Sequence, residues 1–219
     1  MVPDNGWDYG AFAPSLRELD RELIDERGFL RVVPARALLG LPPSLLRVYA
    51  HFRAIYVFPT EELIDLLRLE IGGRTAIEIG AGHGSIARAL GIPATDSYIQ
   101  TTPHYRAIYD ALKAPIVKPA SDVERLDAAC AVEKYRPEVV VAAYVTQLWK
   151  DHHDTHGHMF GVEEEELLGQ VTRYIHVGNY VTHGQKRLLR RPHRVLSKPK
   201  GLVTRAAEPE QNAIWIWDA

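Results

Sequence analysis

The stretch TAIEIGAGHGSIARAL, residues 75–90, decides the fold. An apolar run, broken only by Glu78, ends abruptly at Gly80, and two more glycines follow at Gly82 and Gly84 before the helix-forming run SIARAL. A short apolar run that meets glycine and then opens a helix predicts a strand–turn–helix ligand loop. Gly80 permits the sharp turn, and at Gly82 a ligand can approach past Ala81 without meeting a Cβ atom. Gly84 allows close packing where the helix begins. The first free N–H groups of that helix would face a carboxylate or phosphate.

Outward from this loop the texture alternates. Strands are expected at about 75–79, 93–96, 123–126, 138–144 and 173–178, with helices between them. The end of the chain, GLVTRAAEPEQNAIWIWDA, reads as two strands around a turn at Pro209–Asn212. Such alternation gives an α/β fold with a mostly parallel, Rossmann-like sheet covered on both faces, and the terminal hairpin adds an antiparallel edge. Upstream, Ser15 and Glu18 form a capping box ahead of Leu16, Leu19 and Leu23, and Gly28 stops that helix. A second helical stretch is interrupted at Pro42-Pro43, and Thr60 caps a third that ends at Gly72-Gly73.

Composition narrows the class. The 219 residues suit one domain, and 46% hydrophobic with 25% charged residues is the balance of a globular protein. A net charge of −2 gives no global pull toward nucleic acid or an anionic membrane. The single cysteine, Cys130, excludes an internal disulfide and a CxxC zinc pair. No apolar run is long enough to span a bilayer, and the first residues lack the basic-then-apolar order of a secretory signal. A cytoplasmic protein without membrane attachment is expected.

Two cofactors fit a glycine loop. Gly82-His83-Gly84-Ser85-Ile86-Ala87 matches the dinucleotide fingerprint, but the frame begins two residues beyond the strand end. It also puts Glu78 near a pyrophosphate, which a carboxylate repels. S-adenosylmethionine carries an ammonium and a sulfonium and no phosphate, so an acid beside the loop suits it. Asp96, at the end of the next strand, can accept from both ribose hydroxyls.

With those residues in view, EIGAGHG resembles the first motif of class I S-adenosylmethionine-dependent methyltransferases. TDSY, with Asp96 and Ser97, resembles the second, and Leu126-Asp127-Ala128 the third, which borders the adenine. PEVVVAAYV, with Ala143 and Tyr144, resembles the fourth, beside the transferable methyl. The resemblance covers about residues 60–219 and looks closest to small methyltransferase-like proteins of bacteria and phages. It implies that Glu78, Gly80, Ala81, Gly82, Gly84, Asp96, Ser97, Asp127, Ala128 and Ala143 bind the cofactor. It also implies that residues 1–59 form a helical cap over the substrate. The helix between Gly84 and Asp96 is short for this pattern.

The acceptor is less constrained. No cysteine follows the fourth strand for cytosine C5 chemistry, and Ala142-Ala143-Tyr144-Val145 replaces the Asn/Asp-Pro-Pro-aromatic turn of amino-methylating DNA enzymes. His183, after the fifth strand and beside Asn179, is the candidate base, and Tyr144 could stack on the cofactor or line the substrate pocket. Asp151, His152, His153, Asp154, His156 and His158 crowd one loop, but their spacing matches no ligand pattern, so no metal is expected. Glu163–Glu166 reads as the acidic first turn of a helix. Eight Lys or Arg residues and no acid between Lys186 and Arg205 allow nucleic-acid contact, and residues 35–47 have a faint helix-turn-helix cadence that Pro42-Pro43 spoils. The reading is a methyltransferase acting on a small-molecule acceptor ahead of nucleic acid; the alternative is a non-catalytic module that keeps the fold for binding or structure.

Overall fold

The structure, a computed structural model, describes residues 9–112, 114–150, 157–159 and 161–219. Helices α1 (Tyr9–Leu23), α2 (Ala35–Leu39) and α3 (Pro43–Phe52) precede α4 (Glu61–Ile71). Then come β1 (Ala76–Ile79), α5 (Ser85–Leu90), β2 (Ala94–Asp96), α6 (Pro103–Ala111), β3 (Val123–Arg125), α7 (Ala128–Tyr135) and β4 (Val139–Ala143). The chain ends with α8 (Glu164–Leu168), β5 (Arg173–Asn179), α9 (Tyr180–His183), β6 (Arg194–Ser197) and β7 (Asn212–Asp218).

The strands form one sheet in the order β3-β2-β1-β4-β5-β7-β6. Strands β1 to β5 are parallel, and β7 runs antiparallel to both β5 and β6. Order reverses between β1 and β4, where Ile79 sits opposite Ala142. In doubly wound sheets ligands bind outside the carboxyl ends at such a switch point.

Every residue of β1 is buried, as are six of the seven in β5. Strands covered on both faces have no polar face to alternate, which is why Val139-Val140-Val141 reads as a plain apolar run. On one face Leu63, Ile64 and Leu67 of α4 and Ile86 of α5 pack against Val139, Val141 and Ile175. On the other, Ala131 and Val132 of α7 and Leu167 of α8 meet Ile77, Val140 and Trp215. Helices α1 to α3 bury their own cluster, Leu16, Leu19, Leu38 and Tyr49 among others, which joins the body through Phe58 and Val203. Thr60 caps α4 as expected: its hydroxyl accepts from the Leu63 N–H at 3.2 Å, and Gly72 ends the helix with φ +62°.

Three expectations shift. Helix α1 begins at Tyr9, so Ser15 lies inside it rather than at its cap. Pro42-Pro43 does not spoil the start of a helix; Pro43 occupies the first position of α3, where no N–H is needed. The last two strands are not the two halves of residues 201–219. Strand β7 pairs instead with β6, Val195 opposite Trp215. Leu202 and Val203 are buried, and the segment turns toward the N-terminal part of the chain: Phe58 N donates to Val203 O and Arg205 N to Tyr56 O.

Candidate functional site

Strand β1 runs into Gly80, and Gly80, Gly82 and Gly84 all take positive φ, the left-handed region open to glycine. A Cβ at Gly84 would come within 2.6 Å of Val123 Cγ2, which is the close packing expected there. At Gly82 it would come within 2.9 Å of Val117 Cγ1, so a side chain here strains the loop as well as filling the ligand space. The loop is braced from β2: Ala81 N donates to Thr95 O, and Gly82 N to Asp96 Oδ2 at 3.0 Å. Asp96 Oδ1 accepts from Tyr98 N at 2.7 Å. One carboxylate thus sets both the loop and the turn after β2.

A cavity of about 550 Å³ opens over this edge, at the switch point. Glu78, Gly80, Ala81, Gly82, Asp96, Ser97, Asp127, Ala128, Ala143 and Tyr144 all line it; of the residues expected at the site, Gly84 and His183 do not. Asp127 also caps α7, accepting from Cys130 N at 2.8 Å. Glu78 is 2% exposed, and its Oε2 accepts from Ala87 N in the first turn of α5 at 2.8 Å. Burial pushes its carboxyl up to about 8; the Ala87 N–H opposes this and the nearby Asp96 charge adds to it.

The electrostatics of this cavity are one-sided. Among the described residues five acids line it (Glu78, Asp96, Asp127, Glu163 and Glu166, the fourth paired with Arg187), and no Lys or Arg does. The imidazoles among its described residues, His83 and His158, are both pushed down by burial, so they are neutral at pH 7. The Arg53 carbonyl accepts from His83 Nε2 at 3.0 Å, which fixes the proton on that nitrogen.

One wall is aromatic, and the sequence reading missed most of it. Tyr56, Tyr105, Tyr109 and Tyr144 line the cavity together. Tyr56 and Tyr144 are 5.7 Å apart, Tyr105 and Tyr109 6.2 Å, and the Arg205 guanidinium lies 3.5 Å over the Tyr56 ring. Burial pushes the Tyr109 hydroxyl up to about 12. The i, i+4 spacing of Tyr105 and Tyr109 on α6 was the local signal that could have placed both on one helix face. Tyr144 stands at φ +58°, an uncommon conformation for a bulky residue, held by its N–H to Val177 O.

His183 is not at the cavity wall. It is 1% exposed, its Nδ1 accepts from Asn179 N at 3.1 Å, and its ring packs between Tyr144 and His176. Burial, with the Lys186 charge, pushes it down to about 3. Such a group behind the wall cannot take a proton from a substrate near neutral pH. Asn179 is equally committed: its side chain accepts from Val181 N and donates to Asn212 Oδ1 and Glu208 O. The turn after β5 folds both side chains inward.

Nor do residues 186–205 form one solvated basic face. Lys186 is 5% exposed and donates to both oxygens of buried Glu164 at 2.6 Å. Arg187 pairs with Glu163, Arg194 with Glu70, and Arg205 stacks on Tyr56. Arg190, Arg191, Lys198 and Lys200 remain exposed. Residues 151–156, with three of the clustered histidines, lie outside the described residues. Among the described residues no group of three His, Cys, Asp or Glu side chains could hold a metal, and no helix is long and apolar enough to cross a membrane.

No protein-family model matches the chain, and no curated protein matches it by sequence. Solved structures do. One is WbdD, co-crystallised with the kinase inhibitor LY294002, at 12% identity and TM-score 0.39, covering 72% of this chain and 39% of that one. Another is SMU.776, described as a candidate methyltransferase and complexed with SAH, at 10% identity and TM-score 0.35, covering 67% and 45%. A third is Thermoplasma acidophilum protein 1320, at 14% identity and TM-score 0.34, covering 83% and 92%. This chain therefore spans less than half the length of the first two. Likeness at this level identifies no activity; the chemistry rests on the site.

Proposed function

We propose that the cavity binds S-adenosylmethionine and that the protein transfers its methyl group to a small molecule. The observation that carries this is the acidic lining of the cavity: among the described residues, a glycine loop beside five acids and no Lys or Arg. A pyrophosphate placed there would meet these acids with no described Lys or Arg on the wall to hold it, whereas an ammonium and a sulfonium would be attracted.

Glu78 would answer the cationic end of the cofactor, directly or through water. Asp96 keeps lone pairs for the ribose hydroxyls while holding the loop by Gly82 N. Asp127 and Ala128, where α7 starts, would border the adenine. Ala143 and Tyr144 stand where β4 ends, next to the aromatic wall. The cofactor supplies an electrophilic methyl carbon, whose bond to sulfur breaks with the electron pair left on sulfur as an acceptor lone pair attacks. The protein's part is to align that acceptor and to receive any proton it sheds. His83 and His158 are the imidazoles on the cavity wall, both neutral and so able to accept one.

Calorimetry tests this directly. S-Adenosylmethionine and its demethylated thioether product should each bind one per chain, and NAD should not. Binding of NAD without S-adenosylmethionine would reverse the assignment.

A further inference from the structure

A second cavity, about 1050 Å³, opens beside the first under the N-terminal helices. Ile55, His83 and Tyr109 line both, so the two spaces meet at those residues. Their charges are opposite. Among the described residues the second is lined by Arg27, Arg53 and Lys118 against a single acid, Asp110.

These cations are not equally available. Arg53 is paired with Asp20. Arg27 and Lys118 are exposed, and neither has a carboxylate within ion-pair distance among the described residues. The acids near Arg27 act on it only at longer range and have closer partners: Asp25 Oδ1 accepts from the backbone N–H groups of Arg27 and Phe29, and Asp122 is held by Arg88 at 2.6 Å. Most of the rest of the wall is apolar, with Ile24, Leu30, Ile55 and Ile116 beside His83, Tyr109 and Ser121. Phe29 and Phe52 line it; the Arg27 guanidinium lies 4.7 Å and that of Arg88 3.8 Å from the Phe29 ring centroid.

A largely apolar cleft with two exposed cations outside ion-pair distance of any described acid favours a ligand that has an apolar body and a negative charge at one end. We infer that this cleft is the subsite of the methyl acceptor and that the acceptor is a small apolar acid, its carboxylate held by Arg27 and Lys118 and its body against Phe52, Ile55 and Ile116. The other end of such a molecule passes Tyr109 and His83 into the first cavity. The acceptor role rests on the methyltransferase reading; recognition of the acid does not. A carboxylate could also come from the methionine end of the cofactor itself, and the experiment separates the two sources.

Benzoate, phenylacetate and octanoate are titrated by calorimetry, each beside its uncharged amide, with and without saturating S-adenosylhomocysteine. At least one acid should bind about tenfold or more tightly than its amide, the difference a charge-assisted hydrogen bond makes. The double variant Arg27→Gln/Lys118→Gln, at two exposed positions, should keep its melting temperature and its affinity for S-adenosylhomocysteine but lose that preference. Amides that bind as well as acids, or acids that do not bind, overturn the inference. So does a double variant that loses S-adenosylhomocysteine and keeps the acids, since the cations then hold the cofactor. If the wild-type protein fails to bind S-adenosylhomocysteine, the methyltransferase reading falls, while the acid-over-amide preference still decides the subsite.

Discussion

Glu78 and Glu164 are both buried, at 2% and 3% exposure, and both sit near the start of a helix, yet they are opposites. Glu164 is paired on every side: Lys186 Nζ donates to both oxygens at 2.6 Å, the Tyr174 hydroxyl donates at 2.8 Å, and His176 Nδ1 lies 3.7 Å away. Among the described residues Glu78 has one hydrogen bond, from Ala87 N, feels the Arg88 charge only at a distance, and otherwise faces a cavity that no Lys or Arg lines. A buried acid with its cation built in is part of the scaffold. One without a cation is costly in the empty protein, and that cost falls when a positive ligand arrives.

Removing the built-in cation should have the largest effect. Lys186→Met leaves Glu164 buried without a cation and should cost about 3–5 kcal/mol in urea unfolding, with much of it recovered in Lys186→Met/Glu164→Leu. Cofactor affinity should fall only as far as folding does. A loss under about 1 kcal/mol would mean that the pair is not structural, and the contrast with Glu78 would dissolve.

Glu78→Gln should behave the other way. The carboxyl is raised in the fold from its ordinary 4.5 to about 8, so the folded state binds the proton more tightly than the unfolded chain. Its contribution is full below the unfolded value and is lost as pH rises toward 8. Between pH 5 and pH 8 the unliganded Gln variant should therefore gain on wild type by a few kcal/mol, on the order that such a shift implies. A difference that stays flat with pH would show that Glu78 is already ionised and paired.

How far the sequence discloses these two acids follows from what surrounds each. Glu78 lies inside TAIEIGAGHGSIARAL, where the strand, the glycine turn and the helix start are all consequences of neighbouring residues, so its position was legible. The parallel strands were legible for the same reason, since each is a local apolar run bounded by turn residues. Glu164 reads in sequence as one of four acids at a helix start, because its partners Tyr174 and Lys186 are 10 and 22 residues away. The same long-range pairing hid the fate of residues 186–205, whose charges meet Glu70, Glu163 and Glu164. His183 follows β5 at a position that usually faces ligand, but its ring packs inward against His176. The second cavity joins residues 24–55 to residues 109–121, a juxtaposition no local pattern announces.

The measurement that reaches the central claim is proton release on cofactor binding, read by calorimetry at pH 7 in buffers of different ionisation enthalpy. With its carboxyl at about 8, Glu78 is mostly protonated in the empty site, and a cationic ligand beside it favours the ionised form. S-Adenosylmethionine should therefore release roughly one proton per site in the wild-type protein, almost none in Glu78→Gln, and bind the wild type more tightly as pH rises from 7 toward 8. Release that is absent, or unchanged in Glu78→Gln, would contradict the reading of this cavity as a site for a positively charged cofactor.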